Sequence, residues 1–169
     1  MKIDFQKANI KKQPEIMNLI KSAIINMEKT GIYQWDEFYP TEEVVTNDIN
    51  NGELYVGKVG DKIAVIYVIN TSCDKEYYDG DWQYPNANYR IIHRLCVHPD
   101  FQNNDIAKAT MQHIETELRQ LGVDAIRLDA FTENPYALSL YENLGYKIVG
   151  YADWRKGRFY LMEKYLKDN

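Results

Sequence analysis

The run Tyr89–Leu121, YRIIHRLCVHPDFQNNDIAKATMQHIETELRQL, holds a strand, a break and a helix in immediate succession. Residues Tyr89 to Val97 are rich in β-branched and aromatic side chains, as a pleated, half-buried strand requires. Strict alternation predicts Ile91, His93, Leu95 and Val97 on one face, with Arg94 and Cys96 on the other. Pro99 cannot continue a central strand, so the chain is expected to turn there. From Ile106 the apolar positions fall at helical spacing (Ile106, Met111, Ile114, Leu118, Leu121), and Gly122 is placed to end the helix. A strand feeding a helix N-terminus offers amides with no internal partner at the positive end of a dipole. That is an anion site, and a phosphate-bearing ligand is the first expectation.

Working toward the N-terminus, Ile3–Ala8 alternates as a strand, and Pro14 opens a helix in which Ile16, Leu19, Ile20, Ala23, Ile24 and Met27 form the apolar stripe. Gly31 ends it. The segment IYQWDEFYP carries four aromatics without a period, and Thr41 followed by Glu42 and Glu43 reads as a capped helix start. Leu54–Val59 and Lys62–Asn70 flank Gly60-Asp61 as a hairpin. The aperiodic TSCDKEYYDGDWQYPNAN reads as a long loop, a kind of segment often reserved for function. Beyond the central run, Ala125–Ala130 is a strand, Pro135–Leu144 a short helix closed by Gly145, and Tyr146–Tyr151 and Phe159–Leu166 two strands joined across WRKG. This order predicts an α/β fold, a mixed sheet of about seven strands flanked by about four helices, over one domain, residues 1–169.

Bulk properties exclude several classes. At 169 residues, with 45% hydrophobic and 27% charged residues, the chain is neither disordered nor fibrous. A formal charge of −5 argues against nucleic acid as a partner. Cys73 and Cys96 have no zinc spacing, so no metal site is expected, and two isolated thiols fit a reducing compartment. The N-terminus lacks a signal-peptide core and no apolar run is long enough to span a bilayer. The expectation is a soluble, cytoplasmic domain without membrane partners.

Two motifs give the chain a family resemblance. RLCVHPDFQNNDIAK resembles the strand, turn and acetyl-CoA pyrophosphate loop of the GNAT superfamily of N-acetyltransferases, and NPYALSLYENLGY, Asn134 to Tyr146, resembles that superfamily's helix with its conserved-type Asn, Tyr and Gly positions. The element order matches over nearly the whole chain, and the motifs cover about residues 90 to 150. The resemblance implies acetyl-CoA as cosubstrate. It implies that the Leu95, Cys96 and Val97 backbone pairs with pantetheine and polarises the thioester carbonyl. It further implies that Asn103, Asn104, Asp105, Ile106, Ala107 and Lys108 form the pyrophosphate loop, that Asn134 contacts the cofactor, and that Tyr141 protonates the departing thiolate. A phenol of pKa about 10 beside a thiolate of pKa about 8.5 suits that role.

Asp105 departs from the pattern, which has Gly there. A carboxylate about 4 Å from a phosphate charge costs up to about 4 kcal/mol at an effective dielectric near 20. Weakened but retained acetyl-CoA binding is the expectation, with Asp105 either opposing phosphate or capping the helix, its side chain turned outward.

The remaining site residues carry competing readings. His93, on the central strand, has the ordinary pKa of a general base, but a structural histidine fits equally well. Asp129 matches a position where some GNAT members carry a catalytic Glu, against a reading as a core-edge carboxylate. Tyr33, Trp35 and Tyr78 are the candidate acceptor contacts, since aromatics among carboxylates suit an amine; the alternatives are a hydrophobic staple for Trp35 and a solvated loop for Tyr78. Arg94 reads as a sheet-to-helix salt-bridge partner, and Cys96 as a small buried hydrophobe rather than an acyl carrier. The implied activity is acetyl transfer to a primary amine of a small molecule or peptide, by direct attack in a ternary complex. A non-catalytic CoA- or ligand-binding module is the alternative, and a homodimer is compatible with either.

Overall fold

A computed structural model describes residues 1–167; residues 168 and 169 of the expected domain lie outside them. Seven strands, β1 (Asp4–Lys7), β2 (Leu54–Val59), β3 (Lys62–Asn70), β4 (Tyr89–Val97), β5 (Ala125–Phe131), β6 (Lys147–Trp154) and β7 (Gly157–Tyr165), join in the sheet order β1-β2-β3-β4-β5-β7-β6. Four α-helices accompany them: α1 (Gln13–Lys29), α2 (Glu42–Asn50), α3 (Ile106–Gln120) and α4 (Pro135–Asn143). The sheet is mixed: β4–β5 is parallel, and β1–β2, β2–β3, β5–β7 and β6–β7 are antiparallel. The expected α/β class, strand number and helix number therefore hold.

Backbone contacts group into two compact units, the first Met1–Ile69 with Arg94–Thr110, the second Asn70–His93 with Met111–Asn169. In the first unit, α1 buries Ile16, Leu19, Ile20 and Ala23 of the predicted stripe together with Met17, while Ile24 and Met27 are partly buried against the same core. These residues share a core with Val45 and Ile49 of α2, Leu54 and Val56 of β2, and Cys96. Thr41 caps α2, its hydroxyl accepting from the Val44 amide at 3.2 Å. The β2–β3 hairpin shifts register between Gly57 and Lys58, where a Cβ on Gly57 would lie 2.6 Å from the Val65 side chain. Only glycine fits that approach.

In the second unit, β5, β7 and β6 form an antiparallel meander in space, and β6 turns into β7 over Arg155-Lys156, with Trp154 opposite Gly157. That turn is tighter than the four-residue WRKG connection expected from sequence. The parallel β4–β5 register runs over three pairs, from Tyr89 with Ala125 to Ile91 with Arg127. The stretch expected to be one long loop contains a 3-10 turn, Lys75–Asp79, that buries the Tyr77 side chain. Its ring packs among Ile91, Ala152, Leu161, Trp82 and Trp154. An isolated buried aromatic has no period, so sequence pattern alone does not reveal such an anchor.

The face assignment along β4 is corrected by the structure. Arg94 has φ of 50°, a left-handed conformation inside a strand. One such residue resets the two-residue alternation, so the count from Ile91 and His93 cannot be carried through to Leu95 and Val97.

Candidate active site

The turn after β4 is built from local hydrogen bonds. The His98 ring accepts from the Asp100 amide at 3.0 Å, capping a 3-10 turn over Pro99–Phe101. The loop that follows contains two further left-handed residues, Asn103 (φ 67°) and Asp105 (φ 57°). The Asp105 carbonyl accepts from the Ala109 amide at 2.9 Å, which makes Asp105 the residue from which α3 springs. Asn and Asp tolerate this conformation better than other non-glycine residues. Asn103, Asn104, Asp105 and Lys108 are exposed, and Ile106 is buried as the helix's first anchor. From that anchor on, the first amides of α3 lack intrahelical partners, an arrangement that suits an anion. From α1, Asn26 donates to the Gln102 side chain at 3.0 Å and steadies the start of the loop.

Cys96 is buried at 6% exposure in the first unit's core, and burial pushes its thiol up to about 12. A thiol so protonated is a packing residue, not a nucleophile. Trp35 lies in the same core at 7% exposure. It staples the segment after α1 to the core. Its neighbours Tyr33 and Phe38 are exposed, and Asp36 and Tyr39 form a one-rung bridge.

Arg94 occupies the break in β4 with its guanidinium largely buried. Its Nε donates to Asp48 Oδ2 and its Nη2 to Asp48 Oδ1, both at 2.8 Å, and its Nη1 donates to the Tyr39 hydroxyl at 2.7 Å. Asp48 belongs to α2, so the sheet-to-helix ion pair expected from sequence is formed. Burial pushes the Asp48 carboxyl above its usual range, against the downward pull of Arg94.

The second unit gathers the titratable candidates. His93 Nε2 lies 2.8 Å from Asn70 Oδ1, which also accepts from the Ser72 amide at 3.0 Å. An oxygen already accepting from an amide fixes the roles: His93 Nε2 carries the proton, and in the neutral ring the lone pair stands on Nδ1. Asp129, on β5 opposite Leu161, accepts from the Tyr77 hydroxyl at 2.5 Å. The α4 helix begins at Asn134, whose side chain accepts from the Ala137 amide at 3.2 Å, and Pro135 follows in the first turn. Seven residues on, Tyr141 is buried, with its ring edge-on to Tyr146 at 5.9 Å. Burial first, and the charge of Asp129 second, hold the Tyr141 phenol well above its usual range. At neutral pH it stays protonated, as a donor must. Tyr78 is 79% exposed, beside the buried Tyr77.

Sequence reasoning missed three contributors. Tyr77 was visible only as one aromatic in an irregular segment. Arg127, in β5, is enclosed by the rings of Trp82 and Tyr89, at 4.5 and 3.9 Å, opposite Glu163. Glu115 is a buried carboxylate that accepts from Tyr146 at 2.9 Å and Lys164 at 2.7 Å. Its position on α3, one residue after the buried Ile114, places it on the core side, a signal the apolar pattern alone passes over.

Against known proteins, the model of the acetyltransferase (GNAT) family matches residues 24–146. The chain belongs to that family. Over 55 residues it is 33% identical to the ribosomal protein bS18-alanine N-acetyltransferase of Escherichia coli K12, a stretch covering 32% of this chain and 37% of that protein. The chain thus spans little more than a third of the length of the curated relatives it matches. Among solved structures, a GNAT acetyltransferase from Streptococcus agalactiae 2603 superposes with a TM-score of 0.85 at 24% identity, over 96% of this chain and 95% of that one. The PaiA N-acetyltransferase of Thermoplasma acidophilum, solved with coenzyme A, gives a TM-score of 0.71 at 16% identity, over 98% and 99%. At these identities the likeness concerns the fold. Among the described residues, no helix is long and apolar enough to cross a membrane.

Proposed function

We propose that this chain transfers the acetyl group of acetyl-CoA to a primary amine of a small molecule or peptide, by direct attack in a ternary complex in the cytoplasm. The observation that carries the reading is Tyr141. In a chain of the acetyltransferase family, the tyrosine of the family's helix motif is buried and held protonated. A neutral phenol stabilises a departing thiolate by hydrogen bonding and surrenders its proton as sulfur gains charge.

The other roles follow the chemistry of each residue. The backbone of Leu95, Cys96 and Val97, just past the break at Arg94, receives pantetheine and the thioester carbonyl. Residues Asn103 to Lys108 receive the pyrophosphate and Asn134 contacts the cofactor. His93, through Nδ1 or an ordered water, takes the amine proton, with Asp129 as the alternative base. Tyr33 and Tyr78, both exposed, and the Trp35 segment contact the acceptor. The 33% identity over 55 residues to a ribosomal protein bS18-alanine N-acetyltransferase makes a peptide amine one acceptor class to test.

The test is titration with acetyl-CoA, then a free-thiol assay against polyamines, arylalkylamines, amino acids and peptide N-termini. Saturable binding and amine-dependent thiol release that falls at least tenfold in Tyr141→Phe are expected. Asp105 supports a second reading, a CoA-binding module without turnover. Binding with no thiol release from any amine class would favour that module, and no binding at millimolar acetyl-CoA would overturn both.

A further inference from the structure

The left-handed residue inside β4 is an arginine, not a glycine. A non-glycine residue in that conformation is strained, and it persists only where its surroundings over-determine it. Here those surroundings are specific. The guanidinium donates three hydrogen bonds of 2.7–2.8 Å, two to the carboxylate of Asp48 and one to the Tyr39 hydroxyl. The Arg94 and Asp48 side chains are only 12% and 9% exposed. A planar fork held at three of its nitrogens cannot swing, so it anchors Arg94 at the left-handed break in β4. Tyr39 is itself fixed, its backbone paired both ways with Asp36 at 3.0 and 3.3 Å. Asp48 sits in the last turn of α2 with Ile49 locked into the core.

We propose that Asp48 and Tyr39 act through Arg94 as positioning residues that aim the backbone amides of Leu95–Val97 at the acyl carbonyl of the bound thioester. The inference rests on the reading of that backbone as the thioester seat. The clamp also ties the segment bearing Tyr33 and Trp35 to the acyl-binding backbone, so the wall assigned to the acceptor and the seat assigned to the donor share one set of hydrogen bonds. An amide aimed at the carbonyl oxygen draws electron density from the carbonyl carbon, in the ground state weakly and in the tetrahedral state strongly.

The experiment uses acetyl-CoA labelled with carbon-13 at the carbonyl, bound to the full chain, with the wild type compared to Asp48→Asn and Tyr39→Phe. Coenzyme A, which lacks the carbonyl, is titrated in parallel. In the wild type the bound carbonyl resonance is expected downfield of its free position. Asp48→Asn is expected to lose at least half of that displacement and Tyr39→Phe a smaller part, with coenzyme A affinity unchanged within twofold. A merely structural pair would alter both ligands alike or neither. Tyr39→Phe removes one hydroxyl from a ring already 39% exposed, so it tests the clamp even if Asp48→Asn fails to fold. A folded variant with the full wild-type displacement overturns the proposal, as does a wild type that binds acetyl-CoA without displacing the resonance. A wild type that binds neither ligand overturns the acetyltransferase reading as well, and so separates the two failures.

Discussion

The hydroxyl of the buried Tyr77 donates to Asp129 Oδ2 across 2.5 Å, joining a 3-10 turn to the middle of β5. The phenol is held far above its usual range, by burial first and by Asp129 second. Removing the hydroxyl in Tyr77→Phe takes a charge-assisted hydrogen bond from the carboxylate and is expected to lower stability by about 1.5–3 kcal/mol. Urea denaturation at pH 7 checks this. An unchanged midpoint would mean that the contact contributes nothing to the fold.

Tyr141 and Tyr146 are raised with Tyr77, in each case chiefly by burial. For all three the folded pKa exceeds the unfolded one, near 10. The unfolded chain therefore releases these protons first, so the stability they confer is complete below about pH 10 and is lost as pH rises toward the folded values. Each contributes a slope of about 1.4 kcal/mol per pH unit in that window. The unfolding free energy of the wild type should fall more steeply above pH 10 than that of Tyr77→Phe. In the native protein, Tyr77, Tyr141 and Tyr146 should also contribute no phenolate absorbance until unfolding.

Arg127 and Glu163 are 8% and 3% exposed, and the Arg127 Nε and Glu163 Oε2 atoms face each other at 4.0 Å, beyond hydrogen-bond reach. Glu163 Oε1 accepts from the Gln83 amide at 2.8 Å. Arg127→Met leaves that carboxylate buried without its counter-charge and is expected to cost about 3–5 kcal/mol. Adding Glu163→Gln, which keeps the acceptor for Gln83, should recover most of the loss. A double variant no more stable than Arg127→Met would show that the guanidinium acts through its packing between Trp82 and Tyr89 alone.

Cys96, with its thiol pushed up to about 12, has roughly one part in ten thousand as thiolate at pH 8. Iodoacetamide should modify only Cys73 in the native protein, and Cys96 only after denaturation. Rapid native labelling of Cys96 would reopen the acyl-carrier reading.

Asp105→Gly removes both a left-handed side chain and a negative charge from the start of α3. It is expected to tighten acetyl-CoA binding several-fold and to raise stability by about 1 kcal/mol. Calorimetric titration and thermal unfolding measure the two effects separately. An unchanged dissociation constant would show that the carboxylate does not oppose the phosphates.

Periodicity was enough for the elements that bury one face. The α1 stripe, the β2–β3 hairpin, the strand-to-helix run around Pro99 and the order of the sheet's elements are written in side-chain spacing, because burial of a face imposes a period of 3.6 or 2. The sequence motifs likewise identified the family and marked Tyr141 and the loop from Asn103 to Lys108. Tertiary structure alone decided the rest. Arg94, at its left-handed turn, pairs with Asp48 and Tyr39, 46 and 55 residues away in the chain, and no local pattern encodes partners at that distance. The same holds for Tyr77 on Asp129 and for Arg127 between two rings. Spacing records which side of an element meets the core, whereas the direction of a strand's amides and the partner of a buried charge are set only when distant segments close upon them.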